Sequence, residues 1–436
     1  MKVKGNLFGV AAILACTLLS ACGAAPEVEE TAVEETAQSL RMLNIKSEVN
    51  SQIEALAAQY EKETGVHVEV IGVDAGGGTD SQALLKGYYL ADQMPDIIAC
   101  EAAGFGNWEG LLVDMSDQGW ASKTDAAYKD SKYGTIGFPY TTEAIGLAYN
   151  ANILAKAGVD PTSITGPDSM RAAFETIDAK KEELGITAVI GYCAESGSLG
   201  WSAGNHLMGA YLDSGLGRDD TTYIDQMNSN GGQMDKERFT AFAEMIGLFN
   251  QYSDPELLVE GTYGGQVQGF ASGKYAFVTQ GSWIGASLTG DYADDYAAAG
   301  SFEVGMVPYA FIDGQDTILT SAPSWWAVCK EGHVDAAKAF LQWCSEDAGQ
   351  KILVEQAGFA SPFTDCKYIA SDPFAPVISS YISAGKTSNW HWMSMPANLG
   401  QNGIAPAFQA YAAGELDLEG YVTEVQRIAT EWYSKL

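Results

Sequence analysis

Short strand-like runs alternate with amphipathic helices along most of this chain, and that alternation is the strongest constraint on its fold. Leu40-Arg-Met-Leu-Asn-Ile45 reads as a strand. Ile53, Leu56, Ala57 and Tyr60 then recur at i, i+3, i+4 and i+7, the spacing of one helical face. Gly65 is the expected C-terminal cap. Val66, Val68 and Val70 alternate as a second strand. "DAGGGTDSQALLKGYYLAD" supplies a glycine-rich turn and a helix, and "PDIIACE" a buried third strand. Strand and helix in turn predict a parallel sheet covered by helices on both faces.

The pattern restarts after Asn150. Asp168 or Ser169 can cap a helix running through Met170, Phe174 and Ile177, and Gly185 ends that region before the strand "ITAVIGY". Phe239, Phe242, Ile246 and Phe249 stripe a further helix. "YAFVTQ", "FEVGMVPY" and Ser324–Cys329 read as strands, and Val334, Ala337, Leu341 and Cys344 as a helix. A last helix carries Leu418, Val422, Val425 and Trp432. No internal repeat is present. With 47% hydrophobic and 11% aromatic residues, the chain can bury a large core, and its length suggests two domains. Two apolar links, at about 137–150 and 302–309, join the two α/β blocks. The first, "GFPYTTEAIGLAYN", holds a lone acid, Glu143, between two strand-like runs.

The first residues form a separate pattern. Lys2 and Lys4 precede an apolar run from Leu7 to Leu19. A helix that spans a bilayer needs roughly 20 apolar residues, so this run reads as a secretory signal covering residues 1–21. Leu19-Ser20-Ala21-Cys22 resembles the bacterial lipobox. That resemblance implies that Cys22 becomes the lipidated N-terminus, tethered to a membrane surface without spanning it. Residues 22–39 are small, acidic and free of aromatics, the composition of a flexible linker. The formal charge of −32 repels nucleic-acid phosphates and anionic lipid. Beyond Cys16 and Cys22, five cysteines remain: Cys100, Cys193, Cys329, Cys344 and Cys366. Their number is odd and no Cys-x-x-Cys occurs, so buried free thiols are expected rather than disulfides or zinc. Four scattered histidines make no metal cluster, and no cofactor is implied.

Catalytic motifs are weak here. Gly76-Gly77-Gly78 precedes Thr79-Asp80 and lacks the Gly-Lys-Ser/Thr ending of a phosphate loop. Its backbone N–H groups at a helix start could still touch a ligand, which keeps Gly77 and Gly78 as candidates. Tyr88 and Tyr89 point about 100° apart on a helix and cannot easily share an ion. "ELDLE" at Glu415 lacks the glycine and spacing of a calcium loop. A paired-carboxylate glycosidase site meets only in space, and 56 acids make chance pairs common. The tryptophans carry more. Trp108, Trp201, Trp283, Trp325, Trp326, Trp390 and Trp392 mostly sit at segment ends beside glycine, serine or asparagine. Aromatics so placed can wall a cleft, although packing in a core explains them equally well. Aromatic walls with a few convergent polar groups suit a sugar, whose C–H face stacks on a ring.

From the lipobox to the C-terminus the chain resembles the extracellular solute-binding proteins of family 1, which deliver sugars to ATP-binding-cassette importers. The matching landmarks are "QYEKETGVHVEV", "MPDIIA", "YGTIGFPYTTEAIGLAYNANILAKAGVDP", "FASGKYAFVTQGSWIGASL", "FEVGMVPY" and "SWWAVCKEGHVDAAKAFLQWCSED", in that order. The resemblance implies an α/β architecture, the type II periplasmic-binding-protein fold. Two lobes are joined by crossing hinge strands, with a ligand cleft between them. Lobe 1 is expected at 41–147 with 305–365, and lobe 2 at 150–302 with 370–436. Carried over by motif, Glu143 enters the sugar groove and Trp283 of "GSW" packs on the sugar. Trp390 or Trp392 of "NWHWMSMP", and Trp201 before "GNHL", supply further stacking. Glu101 or Asn107 follows the "PDIIA" strand as a polar contact. The implied action is binding without catalysis: a monomer captures a carbohydrate, closes about its hinge and docks on importer permease subunits at the outer face of the cell membrane. A non-sugar ligand such as a polyamine, or a secreted glycan-processing enzyme, stands as the alternative.

Overall fold

The structure, a computed structural model, describes residues 39–73 and 79–436. Cys22, Gly77 and Gly78 lie outside the described residues. The strands are β1 (Ser39–Asn44), β2 (His67–Gly72), β3 (Ile97–Cys100), β4 (Tyr128–Asp130), β5 (Gly134–Pro139), β6 (Glu143–Ile145), β7 (Leu147–Asn150), β8 (Ala188–Gly191), β9 (Tyr275–Val278), β10 (Val304–Val307), β11 (Ile318–Ser321), β12 (Trp325–Val328) and β13 (Thr387–Ser388).

They form three sheets: β2-β1-β3-β12-β5-β4, β10-β7-β9-β8, and β13-β11-β6. Pairs β1–β2, β1–β3 and β8–β9 are parallel, as the alternation of strand and helix predicts. The first sheet is nevertheless mixed, not wholly parallel, because β12 runs antiparallel to both β3 and β5. The reason is topological. Strand β5 leaves this sheet for β6, and β12 returns to it from β11, which pairs antiparallel with β6. A chain that leaves and returns through neighbouring strands must run in opposite directions in them. The segment 302–309 does not itself return to the first sheet. Its strand β10 pairs with β7, Val304 opposite Asn150, and the return comes only through β11 and β12.

The local signals explain the elements. The helix Asn50–Thr64 buries Ile53, Leu56, Ala57 and Tyr60 and ends at Gly65, whose φ of 78° suits a residue without Cβ. The helix Pro167–Asp178 is preceded by Gly166, so neither Asp168 nor Ser169 is its cap residue. Ser169 instead reaches back, its Oγ accepting from the Gly166 N–H at 3.1 Å. The helix Lys236–Tyr252 buries Phe239, Phe242, Ile246 and Phe249, and the last helix, Leu418–Tyr433, packs on it through Tyr421 and Val425. One core lies on the six-stranded sheet, where Phe138 stacks on Trp326 and Tyr140 lies 4.4 Å from the same indole. Two more cores flank the four-stranded sheet, one around Phe174, Phe277 and Phe242, the other around Phe270, Tyr275 and Phe302. Cys100, Cys193, Cys329 and Cys344 are buried free thiols, and Cys366 is half-buried and free. No described helix is long and apolar enough to cross a membrane.

Candidate functional site

Glu143 opens β6, at the place where the chain passes between sheets. The edge of this strand is clipped on two sides: Ala144 N–H donates to Ser282 Oγ at 3.0 Å, and Thr142 N–H donates to the Ala360 carbonyl at 2.8 Å. The carboxylate is buried and accepts from Lys46 Nζ at 2.6 Å. Glu48 lies 3.8 Å from the same ammonium. Both Lys46 and Glu48 come from the turn after β1. Buried Asn44 shapes that turn, its side chain donating to Lys46 O and to Asn50 Oδ1, both at 3.0 Å. Burial alone would lower the Lys46 pKa, but Glu143 and Glu48 outweigh it and raise it, so the ammonium stays charged. Burial raises the Glu48 carboxyl against the opposing pull of Lys46.

Glu48 and Glu143 line a cleft of about 360 Å³ with Trp283, Phe359 and Asp372. Burial, with Glu143 also contributing, raises the Asp372 carboxyl to about 7, even though it accepts from the Phe374 N–H at 2.7 Å. Two glycines let this wall form. A Cβ on Gly281 would overlap the Trp283 ring, and one on Gly285 would overlap the Asp372 carboxylate. A second hollow, about 510 Å³ beside Phe105, Trp108 and Tyr133, holds none of the expected site residues.

Behind Trp283 the expected tryptophans come together. Trp283 Nε1 donates to Gln280 Oε1 at 3.1 Å, and Gln280 is fixed by Gln266 Oε1 at 2.8 Å and Ser202 Oγ at 3.2 Å. Trp201 lies 6.1 Å from Trp283, and Trp390 lies 6.1 Å from Trp392, between ring centroids. His206 joins the two pairs, within 5.6 Å of all four indoles. Trp390 and Trp392 are buried and also belong to the core around Phe242, whereas Trp201 and Trp283 are half-buried. The turn that carries Trp392 is held by His391. Its N–H donates to Asp213 Oδ2 at 2.9 Å, and its Nδ1 lies 2.5 Å from Asp213 Oδ1.

Glu101 is open to solvent, yet surrounding protein raises its carboxyl, with Lys46 opposing and Glu143 adding to the shift. It therefore shares the electrostatic neighbourhood of the cleft. Asn107 is exposed and donates to Gln82 Oε1 at 3.3 Å, outside the residues that line the cleft. The sequence reading missed Lys46, Glu48, His206, Phe359 and Asp372. Lys46 and Glu143 are 97 positions apart, so no local spacing announces the pair. His206 had a usable signal, because it lies inside the "GNHL" segment already singled out for following Trp201. Among the described residues no group of three or more His, Cys, Asp or Glu is placed to hold a metal ion.

A cleft walled by Trp283, Phe359 and carboxylates, set between α/β sheets that β6 and β11 connect, defines the class: this is the type II periplasmic-binding fold. The chain belongs to the bacterial extracellular solute-binding proteins, whose family model matches residues 55–376. It is therefore a binding protein rather than an enzyme. It is 23% identical over 329 residues to the melibiose/raffinose/stachyose-binding protein MelE of Bacillus subtilis (strain 168), a match covering 72% of this chain and 71% of MelE. It superposes on a sugar transporter of Bacillus licheniformis in complex with stachyose, with a TM-score of 0.69, 18% identity and coverage of 91% of this chain and 100% of the other. It superposes equally on the GacH receptor of Streptomyces glaucescens, solved unliganded and with acarbose, with a TM-score of 0.69, 18% identity and coverage of 92% and 99%.

Proposed function

We propose that this protein captures a carbohydrate, an oligosaccharide by preference, in the cleft and delivers it to an ATP-binding-cassette importer. The observation that carries this reading is the meeting of Trp201, Trp283, Trp390 and Trp392 beside a cleft lined by Glu143, whose carboxylate pairs with Lys46. Indole faces suit the C–H faces of sugar rings, and the ion pair suits hydroxyls, which both donate and accept. The names of MelE and of the stachyose and acarbose complexes support the same ligand class. More than one indole in the cluster suggests more than one stacking contact, which favours an oligosaccharide. Glu101, Asn107, Gly77 and Gly78 stay in this proposal as candidate ligand contacts.

The six-stranded and four-stranded sheets act in this reading as the centres of two lobes, in outline 41–147 with 305–365 and 150–302 with 370–436. The pairing of β10 with β7 supports shifting the second crossing to about 308–324. A ligand that touches both lobes stabilises the closed state by its differential affinity. Cys22 carries the lipid anchor on the extracytoplasmic face, and residues 22–39 tether a monomer near its permease at high effective concentration. A polyamine is the second reading, favoured by one observation: Glu48, Glu143 and Asp372 line the cleft against a single lysine.

A thermal-shift screen of residues 37–436 against raffinose, stachyose, melibiose and spermidine decides between them. A sugar at 100 times its Kd should add about 2.7 kcal/mol of stability. Trp283→Ala should abolish most of that shift, a loss of about 2 kcal/mol in binding, and still fold. A melting point moved by spermidine and by no sugar would reverse the assignment.

A further inference from the structure

We propose that His206 determines specificity in the cleft: its imidazole, packed among four indoles behind Trp283, hydrogen-bonds a hydroxyl of an uncharged sugar that lies against this cluster. This rests on the carbohydrate reading above and narrows it. The His206 ring centroid lies 4.9 Å from Trp283, 5.2 Å from Trp201, 5.4 Å from Trp392 and 5.6 Å from Trp390. Trp283 reaches the open cleft, so the cluster is continuous with it.

Four polar atoms of this cluster are buried with no hydrogen-bond partner: His206 Nδ1 and the Nε1 of Trp201, Trp390 and Trp392. Folded proteins leave few such atoms, and each needs a physical reason. Four of them around one ring, beside a cleft, mark where the polar atoms of a ligand belong.

Their chemistry selects the ligand. An indole N–H only donates, and so does an ammonium. A polyamine would leave the three indoles unpaired. A hydroxyl both accepts and donates, so a sugar can satisfy the indoles and pass its own proton on. His206 is the one member of the four that can accept that proton. Burial, with the charge of Lys46 adding to it, holds the imidazole down at about 3, so an acceptor nitrogen persists at neutral pH. The ring is also held in place. Its segment Ser202–Leu207 is π-helical, a geometry frequent at functional sites. A Cβ on Gly204 would overlap the Gly400 carbonyl oxygen, so this segment presses on Leu399–Ile404 and cannot retreat.

The test titrates raffinose by calorimetry into the wild type, His206→Phe and His206→Gln, with the sugar-free Tm of each measured beside it. Phenylalanine keeps a ring and removes both nitrogens; glutamine keeps an acceptor. Affinity should fall about tenfold or more in H206F while its sugar-free Tm holds or rises, because a buried unpaired nitrogen has gone. H206Q should retain more affinity than H206F. Equal raffinose affinity in wild type and H206F would overturn the proposal and leave the carbohydrate reading standing. Equal losses in H206F and H206Q would also overturn it. A wild type that binds none of raffinose, stachyose and melibiose would overturn both.

Discussion

At the scale of residues, Lys46 and Glu143 form the pair on which the cleft turns. Both side chains are largely shielded, 14% and 6% exposed, so neither charge can shed its partner and be solvated. Lys46→Met should therefore destabilise the protein by about 3–5 kcal/mol, by leaving Glu143 buried and unpaired. The double variant K46M/E143Q should recover most of that loss. Urea denaturation of the three proteins checks this, and additive losses in the double variant would show that the two side chains do not couple. Glu143 was legible in the sequence because an acid between two apolar runs is locally anomalous. Lys46 was not, because its partner lies on a strand that only the tertiary fold brings alongside. Trp390 and Trp392 show a further limit: a segment-end tryptophan can face a cluster and still be buried in the core.

At the scale of elements, the turn His391–Ser394 positions Trp392, and Trp390 immediately precedes it. Its anchor titrates. The hydrogen bond to Asp213 raises the His391 pKa, with burial opposing and Asp225 adding, while Arg218 pulls the other way. Since the folded value lies above the unfolded one near 6.5, His391 contributes stability below about pH 6.5 that is lost as pH rises through the folded value, while burial raises the partner Asp213 carboxyl. Asp213→Asn should flatten that loss. NMR titration of the His391 ring should show its pKa fall in the variant, and an unchanged value would mean that Asp213 does not set it. The strand and helix periods were read correctly through most of the chain, since each element buries a face of matching period. The direction of β12 was not readable, because it depends on where a strand arrives from rather than on its own residues.

At the scale of the whole molecule, the chain passes from the six-stranded sheet through β6 to the four-stranded sheet and comes back through β11. Two antiparallel strands side by side form a narrow connection, and Glu143 faces Ser321 across it. The cleft beside it is lined by Glu48 and Phe359 on one side and by Trp283 and Asp372 on the other. The sequence revealed this plan only through the order of its landmarks, since no short motif encodes a hinge. The central claim is that a sugar closes the cleft. Small-angle X-ray scattering of residues 37–436, with and without saturating raffinose, tests it most directly. A radius of gyration that falls when raffinose is added is the predicted result; one that is unchanged by raffinose, stachyose and melibiose yet falls with spermidine would contradict it.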